Sequence, residues 1–165
     1  MITKFKGEFR WLSNFYLVPV VLDGMTFASV EHAYVAAKTL DPQVRERIRR
    51  LPTAAQAKRF GRIIGKSIPF RPAWSNDIRI RLMRDLLRQK FTDPDLRQRL
   101  ITTGAEELVE TNFWHDQVWG RCSYATCGSA GANWLGRLLM QVREECRKAD
   151  AAGPVAGWEG IARAA

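Results

Sequence analysis

Cysteine, histidine and acidic residues are scarce in this chain, and long apolar runs are missing. Three cysteines in 165 residues are too few for the disulfide framework of a small secreted scaffold. Cys122 and Cys127 have four residues between them, with no neighbouring His or Cys cluster at the spacing of a tetrahedral site. The expectation is therefore no structural zinc, no metal among the functional residues and no cofactor. Cys146 falls on the apolar stripe of the last helix and reads as a core filler. No apolar run approaches the roughly 20 residues that span a bilayer, so no membrane partner is expected. Met1 to Lys6 lacks the apolar segment and small-residue cleavage site of a secretory leader, and the expected residence is cytoplasmic. No internal repeat is present. Asp and Glu total 17 against 26 Lys and Arg, leaving a formal charge of +9. Such a charge draws anionic partners, either nucleic acid or a phosphorylated, nucleotide-like small molecule. The arginines are spread over several segments without a reading helix or an RNA-binding signature, so charge sets a preference for anions and does not name one.

What remains is the composition of a globular domain: 46% hydrophobic residues and six tryptophans, in a chain long enough to bury a core without staples. Residues 1–28 read as extended, with a hairpin from Val18–Leu22 to Met25–Phe27 around Asp23-Gly24. Ser29 caps a helix. Helices follow from Asp41-Pro42, over Ala54–Ile64, over Trp74–Phe91, and over Asp93–Thr102 with Gly104 as its C-cap. Glu107–Glu110 reads as a short strand. Residues 112–131 are rich in Gly, Trp, Asn and Asp without a period, as functional loops are. A last helix runs from Asn133 to Lys148, with Trp134, Leu135, Leu138, Leu139, Val142 and Cys146 as its apolar stripe. The pattern is α+β: a mostly helical single domain over residues 1–148, a small N-terminal hairpin or sheet, and a weakly ordered Ala/Gly-rich tail over 149–165.

Two helices carry residues that their period does not explain. In the helix from Ser29 to Thr39, Val30, Ala33, Tyr34, Ala37 and Leu40 form one stripe at 100° per residue. Glu31 and Lys38 lie about 20° apart on its flank with a rise of roughly 10 Å between them. That is too far for an i,i+4 ion pair and leaves room for a bound molecule. His32 projects nearly opposite the stripe, toward solvent. In the long helix, Ile78, Leu82, Met83 and Leu86 define a core face into which Arg79 projects, with Lys90 near it. An unpaired buried charge is costly, so each should meet an acid, snorkel to water, or line a cavity, where arginine suits an anion.

These residues resemble those of the NADAR, or YbiA-like, family. The resemblance runs through Phe9-Arg10-Trp11-Leu12-Ser13-Asn14-Phe15-Tyr16, Asp23-Gly24, and Ser29-Val30-Glu31-His32-Ala33-Tyr34 to Lys38-Thr39. It continues with Ala57-Lys58, Gly61-Arg62, Trp74, Arg79, Met83 and Lys90-Phe91. It closes with Thr103-Gly104, Leu108-Val109-Glu110, Asn112, Asp116, Trp119-Gly120, Gly131, Asn133, Leu135-Gly136 and Leu139-Met140. It covers about residues 5–147 in order. What it implies is an α+β fold and metal-independent hydrolysis of N-glycosidic bonds between a ribose and a nitrogenous base. The substrate classes it implies are phosphoribosylated pyrimidine intermediates of riboflavin synthesis, ADP-ribose on guanine in nucleic acid, and NAD-derived metabolites. A non-catalytic module binding ADP-ribose or phosphoribose is the remaining reading. Two carboxylates argue against it, since they add nothing to binding a phosphate-bearing ligand.

Breaking a ribosyl C–N bond builds positive charge at the anomeric carbon, so the site needs a carboxylate there and a proton for the departing nitrogen. Glu31, the family's central glutamate, is the first candidate and Asp116 the second; an Asx-type turn is the structural alternative for Asp116. Lys38 is placed to hold a sugar hydroxyl or phosphate, or to attack the anomeric carbon and form a Schiff base with opened ribose. Trp74 and Trp119 are candidates for stacking on a flat base, with core packing as the alternative, and Tyr34, on the same helix as Glu31, is a further substrate-binding candidate. Arg62 and Arg79 are phosphate candidates, Asn14 and Asn112 ribose candidates. His115 is read as a bystander.

Overall fold

The computed structural model describes residues 1–153. In chain order it contains β1 (Ile2–Thr3), a 3₁₀ turn (Gly7–Leu12), β2 (Val20–Leu22), β3 (Met25–Phe27), α1 (Val30–Ala36), α2 (Pro42–Arg49), α3 (Ala54–Phe60), α4 (Asn76–Lys90) and α5 (Pro94–Thr102). Then come β4 (Leu108–Val109), β5 (Thr111–Asn112), β6 (Arg121–Cys122), a 3₁₀ turn (Ala125–Cys127) and α6 (Trp134–Ala151). The architecture is α+β, as expected. The hairpin β2–β3 pairs Val20 with Phe27 and Leu22 with Met25, and Asp23 and Gly24 both take positive φ, 48° and 76°, the geometry a two-residue turn needs. The other strands pair across long stretches of sequence, β1 parallel to β4 and β5 parallel to β6, so the chain has three two-stranded sheets among the described residues.

Helix starts follow the capping chemistry of the sequence. Ser29, Asp41, Thr53, Ser75 and Asp93 each accept from a backbone N–H of the first turn, which satisfies groups that would otherwise be orphaned. Pro42 and Pro94 open α2 and α5, where a missing N–H costs nothing. Gly104, at φ 62°, turns the chain out of α5. Three helices are shorter than expected: α1 stops at Ala36, before Lys38, α3 at Phe60 rather than Ile64, and α4 starts at Asn76, behind the Ser75 cap, rather than at Trp74. The last helix is longer, so residues 149–151 of the expected tail are helical, while 154–165 lie outside the described residues.

The centre of the molecule is α1, packed by α2, α3, α4 and the hairpin. Val30, Ala33, Tyr34 and Ala37 are buried, as the stripe requires, but so are Val35, Ala36 and His32. Leu40, assigned to the stripe, is 53% exposed, because the helix has ended before it. The expectation that His32 is solvated is overturned. Its Nδ1 lies 2.8 Å from the Ser29 hydroxyl and its Nε2 3.1 Å from the Leu51 carbonyl. Burial holds its pKa below the usual value, partly offset by the Leu51 carbonyl. An amphipathic reading assumes a surface helix with one wet side, and a helix enclosed on all sides has none.

In α4, Met83, Leu86 and Leu87 are core residues and Lys90 is fully buried with them. Among the described residues no acid meets Lys90. Its ammonium donates to the Ser13 carbonyl at 2.8 Å and lies 5.7 Å from the Tyr16 ring centroid and 5.5 Å from that of Phe91. Desolvation pushes its pKa down to about 7. No helix among the described residues is long and apolar enough to cross a membrane.

Candidate active site

The N-terminal end of α1 opens into a cleft of about 340 Å³, within the range of small-molecule sites. Five parts of the chain build it, with Leu135 of α6 as a sixth contribution. The turn after the first 3₁₀ segment gives Ser13, Asn14 and Phe15; α1 and the turn beyond it give Glu31, Tyr34 and Lys38; α3 and its exit give Lys58, Gly61 and Arg62; α4 gives Arg79 and Met83. The segment from Glu110 to Trp119 adds Glu110, Asn112, Trp114, Asp116 and Trp119. Of the ten residues expected in the site, nine line this cleft: Asn14, Glu31, Tyr34, Lys38, Arg62, Arg79, Asn112, Asp116 and Trp119. Trp74 is not part of its lining. It packs on Tyr34, 6.0 Å between ring centroids, and on Phe70 at 6.4 Å, so it supports Tyr34 rather than facing the cleft.

Glu31 is fixed from both sides, its backbone N–H donating to the Asn14 carbonyl at 3.0 Å while its helix is held by the Ser29 cap. Desolvation raises the Glu31 pKa to about 7, with Lys58 and Lys38 opposing that rise and Asp116 adding to it. A carboxyl poised near neutrality can give and take a proton at working pH. Lys38 is pushed below the usual lysine value by burial, countered by Glu31 and reinforced by Arg79 and Lys58. A lowered lysine pKa eases the loss of the proton that nucleophilic attack requires. Tyr34, whose ring lies 5.4 Å from the Lys38 ammonium and meets Trp119 edge-on at 5.3 Å, is pushed up to about 12 by burial, and stays a neutral hydroxyl.

Asp116 is tied into its loop and also lines the cleft. One carboxylate oxygen accepts from the backbone N–H groups of Val118 (3.0 Å) and Trp119 (2.8 Å), the Asx-type turn. Asn112 does not have the freedom a ribose ligand needs. Its side chain donates to the Asp116 carbonyl at 2.7 Å and accepts from the N–H groups of Trp114 and Asp116. It is a clamp for the loop. Asn14 is the opposite case, with a buried Oδ1 that has no partner among the described residues. Arg79 likewise has a buried Nε without a partner, so cavity lining, and not an ion pair, resolves its place on the α4 face. Arg62 stands exposed at the rim.

Sequence reasoning gave no role to Lys58, Glu110, Trp114 or Phe15. The Lys58 ammonium sits 4.9 Å from the Trp114 ring centroid and 5.7 Å from that of Phe15. The Glu110 pKa is raised by burial, against the Phe5 backbone N–H and the charges of Lys58 and Lys6, and its Oε2 is buried without a partner. Lys58 and Glu110 both fall in stretches that resemble the family, Ala57-Lys58 and Leu108-Val109-Glu110. That match was the available signal, since helix and strand period are silent about either residue. His115 lies outside the cleft lining, with its Nδ1 3.1 Å from the Cys127 sulfur. The expectation that no histidine accompanies the two cysteines is therefore corrected: the loop fold brings His115 to both.

Residues 3–147 match the model of the NADAR domain. The chain is 38% identical over 140 residues to N-glycosidase YbiA of Escherichia coli strain K12, covering 84% of this chain and 81% of that protein. It is 37% identical over 139 residues to a riboflavin biosynthesis protein of Vibrio vulnificus, of which the match spans 36%. Its fold is similar to the NMR structure of E. coli YbiA, with a TM-score of 0.79, 33% identity, and coverage of 94% of this chain and 89% of that one.

Proposed function

This chain belongs to the NADAR domain family, and we propose on that premise that it hydrolyses the C–N bond between a phosphoribose and a nitrogenous base. It is a hydrolase of N-glycosyl bonds, as its relatives are named. The proposed substrates are phosphoribosylated intermediates of riboflavin synthesis. The Vibrio relative's name supports that choice, and so does a cleft of about 340 Å³, which suits one mononucleotide-sized ligand.

The observation that carries the mechanism is Glu31, desolvated to a pKa of about 7 and flanked by Lys38, Lys58 and Asp116. In the proposed reaction the carboxyl of Glu31 handles the proton, as acid to the departing nitrogen or as base to the attacking water. The carboxylate of Asp116 faces the positive charge growing at the anomeric carbon. Lys38 holds the sugar, or attacks C1 as a neutral amine; hydrolysis of the resulting Schiff base then restores the lysine and frees the opened ribose. Arg79, with its unpartnered donor, and Arg62 take the phosphate. The unpartnered Asn14 Oδ1 accepts from a ribose hydroxyl, and the Trp119 face meets the base.

The net charge of +9 also fits a second substrate class, ADP-ribose carried on guanine in nucleic acid, since a polyanion gains from long-range attraction, but it does not select that class. One experiment separates the two. The purified protein is incubated in parallel with a phosphoribosylaminopyrimidine and with ADP-ribosylated guanine DNA, and the released base and sugar are resolved by mass spectrometry. Release from the pyrimidine alone, lost in Glu31→Gln, is the expected result. Release from DNA alone would transfer the assignment to the second class.

A further inference from the structure

Outside the cleft, the β5–β6 loop and the turn after it gather three side chains of metal-ligating type that the reaction does not use. His115, Cys122 and Cys127 each offer one ligand atom, and those atoms lie within 4.8 Å of one another; among the described residues no other group of three does so. The backbone builds the cluster. Cys122 is in β6, anchored by its N–H to the Ala130 carbonyl at 2.9 Å. The 3₁₀ turn Ala125–Cys127, closed by the Cys127 N–H on the Tyr124 carbonyl at 3.0 Å, folds the second cysteine back over the first. From the preceding connection His115 presents Nδ1 to the Cys127 sulfur at 3.1 Å, its ring against Tyr124 with centroids 5.0 Å apart. The Tyr124 N–H points at the Cys122 sulfur, 3.4 Å away, a donor placed as the outer-shell partners of metal thiolates are. The Gln117 amide holds the Cys127 carbonyl at 2.5 Å.

We propose that His115, Cys122 and Cys127 form a binding site for a thiophilic divalent cation of the zinc class, with water in the fourth position. Tetrahedral zinc bonds of about 2.3 Å to sulfur and 2.0–2.1 Å to nitrogen set ligand atoms about 3.6–3.8 Å apart, so shifts of about 1 Å convert the cluster into a bound geometry. Binding forms two metal–thiolate bonds and one metal–imidazole bond, and the two thiol protons leave to solvent. Two sulfurs and one imidazole select a soft ion over magnesium or calcium. Cys122 and His115 flank the segment that bears Asp116 and Trp119, and Trp114 directly precedes His115. The ion therefore clamps the loop that closes one side of the cleft, a positional role separate from the chemistry at Glu31.

The test is a metal titration of the full chain, stripped with chelator, kept reduced with a phosphine and titrated with Co²⁺ and then Zn²⁺ alone. Expected are one equivalent of Co²⁺ with thiolate-to-cobalt charge transfer and tetrahedral d–d bands, displaced by Zn²⁺, and slowed amide exchange over residues 113–128 on metal binding. Cys127→Ser and His115→Asn should each weaken binding at least tenfold while circular dichroism stays native. Asparagine tolerates the left-handed backbone of His115, φ 62°. Both residues are partly or fully exposed, so neither change opens the core. Absence of the cobalt bands in the reduced protein, or undiminished binding in both variants, overturns the site. A metal that binds without slowing exchange in the loop overturns the clamp.

Discussion

Glu31 and Arg79 show how a residue's surroundings change the properties of an ordinary side chain, and the proposed roles of both rest on that change. Glu31 titrates near 7 because the cleft desolvates it more than Lys58 and Lys38 relieve it. Glu31→Gln should leave the fold intact and reduce kcat by about 10²-fold, the scale of a positioned acid–base group. The ionisation near pH 7 in the wild-type rate profile should vanish with it. Stability should move the other way. Between the ordinary 4.5 and the folded value of about 7, the unfolded chain releases a proton that the folded chain keeps. Wild-type stability therefore falls as pH rises through that window, and Gln is spared the loss. Denaturant melts of both proteins at pH 5 and pH 8 check this, and near-full activity in the variant would remove Glu31 from the mechanism. Among the described residues Arg79 has no ion pair to lose, so Arg79→Lys should keep the wild-type Tm. It should raise KM for a phosphorylated substrate by about tenfold, since lysine lacks the planar fork. A dephosphorylated nucleoside analogue should be affected much less. Equal losses on both substrates would sink the phosphate role.

Among the elements, α6 illustrates a contact that sequence period does not reveal. It begins at Asn133, held at φ 51°, whose side chain donates to the Leu108 carbonyl at 2.9 Å and accepts from the Glu110 N–H at 3.1 Å. That pair of bonds sets the helix end against β4 and fixes the strand that delivers Glu110 to the cleft. The approach is so close that a Cβ on Gly136 would stand 2.0 Å from the Leu108 carbonyl oxygen. Alanine is the better helix former, yet Gly136→Ala should destabilise by about 3 kcal/mol through overpacking. Arg137→Ala, one residue on and exposed, should change stability by less than about 0.5 kcal/mol. Urea melts of the two variants decide it; a neutral Gly136→Ala would mean that α6 can slide away from β4. The Ser29 cap, the helix starts at Asp41-Pro42, Thr53 and Asp93, and the turn at Asp23-Gly24 were legible because they are local chemistry; the Ser75 cap was not, since the helix was expected to begin at Trp74. The parallel pairings of β1 with β4 and β5 with β6 were not, since two-residue strands carry no alternation to read.

For the molecule as a whole, Lys90 couples stability to pH. It is fully buried, bonded to the Ser13 carbonyl, and desolvation lowers its pKa from 10.5 to about 7. Between those values the unfolded chain holds a proton that the folded chain has released. Its contribution is thus complete above about 10.5 and is lost as pH falls toward 7, a slope of about 1.4 kcal/mol per pH unit. Lys90→Met removes that slope. The stability difference between wild type and Lys90→Met, followed by denaturant melts from pH 7 to pH 10, should shift in favour of the wild type as pH rises. Parallel curves would show that Lys90 stays charged when folded.

The sequence by itself determined the helices, their caps, the hairpin, the α+β class and the family, and with the family nine of the residues that line the cleft. These follow from period, from hydrogen-bonding side chains beside helix ends, and from an ordered series of motifs, all properties of neighbours along the chain. Tertiary structure alone decided which of those residues are free to act. Asn112 is spent on its own loop while Asn14 keeps an unpartnered oxygen; Trp74 backs Tyr34 instead of facing the cleft; His32 is enclosed rather than wet; and His115 meets two cysteines. Lys58 and Glu110 come to Glu31 from segments 27 and 79 positions further along the chain. Burial, and with it the pKa values of Glu31 and Lys90, depends on what packs around a side chain from distant segments, and no local period records that.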